Sequence, residues 1–345
     1  MVRTHLKNLV LAGATSRSAT RILAPLTRGT ATILMLHRFA EASRDVSGHD
    51  PAKLRTLLEH LRRMPCVILS LAEVFARCAR RERFDPLTVA FTLDDGYFDQ
   101  AEVAAPLFAE FDCPATIFIT TGFLDGALWF WWDKIAHVFG ATPRPSIALH
   151  LPSGRSTYDL STLETRSRAT QHFTSLCKAL PDVDKNAAIH TLSLEANVEI
   201  PIGPPPRYGP MSWAQVCELE RRGISFGPHT VTHPILSRTN DDQARHEVVE
   251  SWRRLQTEAR TPVPVFCYPN GQPADFGPRE ILNLRQTGLR GAVTGTPGFV
   301  RVASTDPDDE FPFRVPRFAY HDDRRSTLQY LNGFEHLKQR LVGIG

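Results

Sequence analysis

Two stretches of this chain set metal- and proton-handling side chains at spacings that chemistry can use. In the first, Val89-Ala90-Phe91-Thr92-Leu93-Asp94-Asp95-Gly96-Tyr97, an apolar, β-branched run stops at two adjacent carboxylates and a glycine. Side chains alternate along a strand, so Asp94 and Asp95 cannot point the same way from a regular one. Where the chain turns at Gly96, both can reach one pocket from different angles, one holding a metal while its neighbour handles a proton. Carboxylates this close resist joint ionisation unless a cation sits between them. In the second stretch, Phe226-Gly227-Pro228-His229-Thr230-Val231-Thr232-His233-Pro234, two histidines four residues apart share one face of a helical turn and can reach a single ion. Pro234 argues against a long helix, so a short turn or loop at a strand end is expected. Taken alone, an Asp-Asp-Gly is an ordinary turn and a His pair an ordinary surface or core pair. Together, Asp95, His229 and His233 offer two nitrogens and one oxygen with positions left open for water and substrate, as a catalytic ion requires.

Thr92-Leu93-Asp94-Asp95-Gly96 resembles the Thr-Phe-Asp-Asp-Gly motif of the polysaccharide deacetylases, carbohydrate esterase family 4. His229-Thr230-Val231-Thr232-His233 resembles their His-Ser/Thr-x-x-His motif. The resemblance runs over roughly residues 30 to 125 and 210 to 322, with a long insertion between. It implies an α/β fold, a distorted (β/α) barrel of seven or eight strands with a mostly helical insertion. It also implies one divalent metal ion on Asp95, His229 and His233, and Asp94 as catalytic base. The implied activity is that of a hydrolase of non-peptide carbon–nitrogen bonds, removing N-acetyl groups from an amino-sugar glycan such as an exopolysaccharide or lipid-linked precursor. Two nitrogens and one carboxylate suit zinc first, without excluding cobalt or nickel.

Two departures concern the supporting residues. The family carries an Arg-x-Pro motif whose arginine orients the catalytic Asp, but here the aligned stretch reads Cys267-Tyr268-Pro269-Asn270-Gly271. Arg317, in Val315-Pro316-Arg317, could supply that guanidinium from the last strand, a plain surface salt bridge being the alternative. The family's Leu-x-His motif, which carries the general acid, is missing from its usual late position. Leu34-Met35-Leu36-His37 has that form, and in a closed barrel the first strand neighbours the last. A shift of this sort resembles the poly-N-acetylglucosamine deacetylases, whose motifs are rearranged in chain order. His37 is therefore the candidate acid and His321 the second. A glycan-binding protein of the same fold without turnover would also tolerate these departures, and a metal-dependent amidohydrolase could use the same site on a small non-sugar amide. Binding alone does not need the proton-transfer carboxylate Asp94.

The elements that must position these residues follow a strand–helix rhythm. The chain has 345 residues, 42% hydrophobic and 22% charged, enough for one barrel-type domain with a sizeable core. A net charge of +3, scattered along the chain, does not point to nucleic acid. Six widely spaced cysteines without a Cys-x-x-Cys favour reduced thiols and argue against a cysteine zinc site. Residues 30 to 39 read as a buried strand ending at His37, Asp50-Pro51 opens a helix with Leu54, Leu57, Leu58 and Leu61 on one face, and strands follow at 66–70, 89–93 and 114–119. Residues 123–209 break the rhythm, with an aromatic-rich helix over Trp129, Trp131 and Trp132, an irregular or hairpin stretch at 143–158 and a polar helical stretch to about Leu194. They read as an insertion on the substrate face of a barrel that spans 30–345. Tryptophans there could stack on sugars or anchor the insertion. The segment 1–29 is basic and has no acidic residue. It could lie on an anionic membrane surface, pack on the barrel, or act as a weak secretory signal. The expected location is cytoplasmic or peripheral to a membrane, with secretion left open, and no feature sets an oligomeric state.

Overall fold

The computed structural model describes residues 11–151, 154–302 and 309–342. Residues 1–10, which hold Arg3, Lys7 and the start of the short apolar run in the basic segment, lie outside the described residues. Among the described residues no helix is long and apolar enough to cross a membrane.

Strands β1 (Thr30–Leu36), β3 (Thr88–Leu93), β4 (Ala115–Ile119) and β7 (Ile224–Pro228) lie side by side and parallel in that order. They are apolar along almost their whole length because a parallel sheet is covered on both faces. Two short strands flank this path. β2 (Val67–Ile68) pairs with the start of β3, and β10 (Val300–Arg301) runs antiparallel to the start of β1. β8 (Val265–Cys267) and β9 (Gly291–Val293) form a second parallel pair, joined to β7 where the Val263 N–H donates to the Phe226 carbonyl at 2.7 Å. Val293 bridges to Val315, and β11 (Phe318–Ala319) pairs in parallel with β1, which closes a distorted ring. The fold is the α/β barrel expected from the resemblance.

Alternation along these strands sorts their side chains into two cores. Ala31, Ile33, Ala90, Phe118, Val265, Cys267, Val293 and Val315 fill the inside of the ring. Leu34, Leu36, Phe91, Leu93, Ile117 and Phe226 face the surrounding helices, which include Pro51–Arg62 and Asp241–Glu258. By the same alternation Thr92 and Asp94 share the inward face with Ala90. The register places Leu36 opposite Leu93 and Ile119 opposite Pro228, so His37, Asp94, Thr120 and His229 emerge together at one end of the ring.

Between β4 and β7 the chain forms helices Trp131–Ala141, Leu163–Ala179 and Asp182–Ala196 and a hairpin of β5 (Ser146–Leu151) and β6 (Gly154–Asp159). These pack round a core of their own that includes Ile135, Phe139, Leu149, Phe173 and Leu192. One expectation needs correction. Trp129 is not in the aromatic helix, because Phe130 is extended (φ −67°, ψ 143°) and the helix starts at Trp131. Trp129 is buried and its indole N–H donates to the Pro201 carbonyl at 3.1 Å, so this tryptophan anchors the segment. The polar stretch is two helices, since Pro181 forces Leu180 into an extended conformation and starts a new helix at Asp182.

Phe173 is fully buried at the centre of this second core. Phe173→Ala is expected to lower stability by about 3–5 kcal/mol, read from guanidinium unfolding.

Candidate active site

Four strand ends meet at one cavity of about 690 Å³, lined among others by His37, Asp94, Asp95, His229, His233 and Arg317. Asp94 follows β3 directly, and its backbone N–H donates to the Leu36 carbonyl at 3.0 Å, a continuation of the sheet that keeps its side chain inward. Arg317 enters from the segment before β11. Its Nη1 and Nη2 donate to Asp94 Oδ1 and Oδ2, both at 2.7 Å, in a bidentate fork. The guanidinium is 1% exposed and the Asp94 residue 3%. Burial alone would raise the Asp94 carboxyl, but Arg317 overrides this and holds it well below the usual carboxylate range. Arg317 thus takes the place that Cys267 leaves vacant. The Cys267 thiol, kept neutral because burial pushes it up, donates to Asp94 Oδ2 at 3.4 Å and accepts from Arg317 Nη2 at 3.2 Å.

Asp95 turns away from Asp94 by a backbone that few residues adopt. Asp95 has φ 92° and Gly96 also φ 92°, a region where a Cβ crowds the chain. A Cβ on Gly96 would lie 2.9 Å from Leu124 Cδ1 and 3.1 Å from Ile119 Cδ1. The turn is held by Gln100, whose side chain accepts from the Gly96 N–H at 3.2 Å and donates to the carbonyls of His37, at 2.9 Å, and Asp94. Gln100 opens a π-type turn at Gln100–Ala104, which leads into the helix Ala105–Glu110.

The histidine loop is strained in the same way, with Thr230 at φ 67° and His233 at φ 59°. Glu247, 2% exposed on helix Asp241–Glu258, accepts the backbone N–H groups of Val231 and Thr232, each at 2.8 Å, and the Thr232 hydroxyl. The His233 N–H donates to Thr230 Oγ1 at 3.0 Å. His229 Nδ1 lies 2.7 Å from the Cys267 carbonyl, which can only accept, so Nδ1 carries a proton and Nε2 is the nitrogen turned to Asp95 and His233. Burial and the neighbouring His229 push His233 down to about 3, so its ring is neutral at physiological pH.

The structure brings Asp95, His229 and His233 to one point. Asp95 Oδ1 lies 3.5 Å from each Nε2, and the two Nε2 atoms are 3.1 Å apart. Ligands about 2.0–2.1 Å from a tetrahedral zinc would stand roughly 3.3–3.4 Å from one another. Against its burial, Cys267 and Asp95 pull His229 well above the ordinary histidine value, so an ion on its Nε2 would displace a proton, and two imidazole nitrogens with a buried carboxylate at these separations fit a divalent ion. His37 Nε2 lies 3.9 Å from Asp94 Oδ2, with its side chain 45% exposed, on the cavity. His321, the second candidate acid, is exposed and does not line the cavity, because it follows β11 and turns outward. Sequence reasoning missed Glu247 and Gln100. Glu247 could have been suspected as a carboxylate on the apolar stripe of its helix, between Ala244 and Val248. Gln100 carries no such signal.

The chain matches the family model described as polysaccharide deacetylase over residues 81–291. No curated protein matches it. Among solved structures it is similar to the Streptococcus pyogenes deacetylase PplD in complex with acetate, with 16% identity, TM-score 0.55, and 88% of this chain and 98% of that one covered. It is also similar to IcaB from Ammonifex degensii, with 15% identity, TM-score 0.52, and 88% and 97% covered. A de-N-acetylase from Aggregatibacter actinomycetemcomitans gives 13% identity, TM-score 0.50, and 85% and 96% covered. At these identities the likeness shows the fold.

Arg317→Ala leaves a buried carboxylate without its counter-charge and is expected to cost about 3–5 kcal/mol at pH 7. A carboxyl held low in the folded state stabilises above its unfolded pKa near 4 and loses that contribution as pH falls. The stability gap between wild type and variant should therefore narrow as unfolding is measured from pH 7 down to about 3. Glu247→Ala, which leaves two backbone N–H groups of the histidine loop unpaired, should weaken zinc binding about 10–100-fold in a competition titration.

Proposed function

The chain belongs to the polysaccharide deacetylase family, and from that premise we propose that it hydrolyses N-acetyl groups on an amino-sugar glycan with one divalent metal ion, zinc by its donor set. The observation that carries this reading is a three-donor cluster, Asp95, His229 and His233, beside a separate carboxylate, Asp94, fixed by Arg317 on the same cavity. Asp95, His229 and His233 would hold the ion, which when bound polarises a carbonyl and lowers the pKa of water.

The remaining work falls to the chain's own side chains. Asp94, ionised at neutral pH and locked by the Arg317 fork, takes the proton of the water that adds to the acetyl carbon. His37 gives a proton to the nitrogen as the carbon–nitrogen bond breaks, since an amide anion is too poor a leaving group to depart unaided. Acetate and a free amine result. His37 suits that role by its position, within reach of Asp94 yet open to the cavity. The glycan is proposed to be an exopolysaccharide or a lipid-linked precursor. A cytoplasmic or membrane-peripheral setting agrees with six unpaired cysteines.

The test is acetate release from N-acetylglucosamine oligomers by purified protein, with and without Zn²⁺. Asp94→Asn should lower the rate by about 10²–10⁴ with zinc still bound, and His233→Ala should lose zinc and activity together. No release with stoichiometric zinc would make the substrate class wrong, and no zinc bound would sink the reading.

A further inference from the structure

One wall of the cavity does not come from the barrel. Helix Trp131–Ala141 contributes Trp131, Trp132, Asp133 and Ala136, and helix Leu163–Ala179 contributes Thr174 and Lys178. Asp133 is the anomaly on this wall. It is 6% exposed, yet no cation pairs with it among the described residues. Burial pushes its carboxyl up to about 7, so near neutral pH it is held partly in its acid form, and a buried carboxyl without a counter-charge on a cavity wall calls for a use.

The hydrogen bonds around it have a fixed direction. The indole N–H of Trp132 can only donate, and it does so to the Tyr97 hydroxyl oxygen at 3.1 Å. The Tyr97 proton therefore goes to Asp133 Oδ2, at 2.6 Å. No donor to Asp133 Oδ1 is found among the described residues, and Asp133 lines the cavity. Tyr97 is held from its other side by the Arg38 guanidinium, 3.8 Å from the ring centre. The Trp132 ring lies 4.7 Å from the His233 ring and stacks on Phe130 at 4.4 Å and 8°. A carboxyl group and a half-buried indole thus stand together beside one of the three convergent donors.

We propose that Asp133 and Trp132 form the subsite that reads the sugar. Asp133 Oδ1 shares a hydrogen bond with a ring hydroxyl, and the indole covers the C–H face of the pyranose. This rests on the deacetylase reading and narrows it. A carboxyl can pair with a neutral hydroxyl in either protonation state, so the group read at this point is a ring hydroxyl of the amino sugar. The barrel supplies the hydrolytic groups and the inserted helix supplies the recognition.

The experiment compares zinc-loaded wild type, Asp133→Asn and Asp133→Ala on the N-acetylglucosamine trimer, measuring kcat and KM by acetate release and trimer binding by calorimetry. KM for Asp133→Ala should rise about tenfold to a hundredfold with zinc content intact and kcat little changed. Asp133→Asn keeps the volume and the Tyr97 bond, and its KM should rise less. A loss confined to kcat, or a KM unmoved in both variants, would overturn the subsite and leave the deacetylase reading standing. Wild type that binds the trimer in an Asp133-dependent way but releases no acetate would overturn the activity and leave the subsite. Neither binding nor release would overturn both.

Discussion

The buried pair of Asp94 and Arg317 is the interaction on which the rest of the site depends. Removing two full charges from water costs several kcal/mol for each ion. The structure offsets this by leaving no donor of the guanidinium idle. Nε donates to the Thr294 carbonyl, Nη1 to Thr92 Oγ1 and Asp94 Oδ1, and Nη2 to Asp94 Oδ2 and Cys267 Sγ. Those acceptors come from β3 and the residue after it, from β8 and from the residue after β9, while Arg317 itself leads into β11. The same contacts that close the ring therefore hold the proton-accepting carboxylate. Closure and reactivity are one constraint, which explains why a charge pair replaces an apolar core at this end of the barrel.

A second theme is backbone strain held in place by buried polar side chains. Asp95, Thr230 and His233 all have positive φ, and such conformations persist only where the surroundings over-determine them. Gln100 does this for the aspartate turn and Glu247 for the histidine loop. The benefit is convergence. A relaxed strand end would send Asp95 away from the histidines, whereas the strained turn brings its Oδ1 within 3.5 Å of both Nε2 atoms.

The segment between β4 and β7 adds specificity to a common scaffold. It folds round its own apolar core, so it can change without disturbing the ring. It lines the cavity from two of its helices, and Trp132 and Asp133 tie it by hydrogen bonds to Tyr97 of the barrel. Tyr97 lies two residues beyond Asp95, which couples the wall of the cavity to the candidate ion-binding turn.

The local patterns were legible in the sequence alone. β-Branched runs ending in polar residues marked β1, β3 and β4, the Asp50-Pro51 start marked a helix, and Asp-Asp-Gly with His-x-x-x-His pointed to one set of donors. These are short-range signals, set by side-chain period and backbone sterics within a few residues. Tertiary structure decided the rest, because the remaining contacts join residues far apart in the chain. Asp94 and Arg317 are separated by 223 positions, and no periodicity links them. Whether His37 or His321 stands beside Asp94 depends on the register of β1 against β3, which only sheet pairing sets. Asp133 reads as one more charge on an aromatic helix until packing buries it on the cavity wall against the Tyr97 hydroxyl.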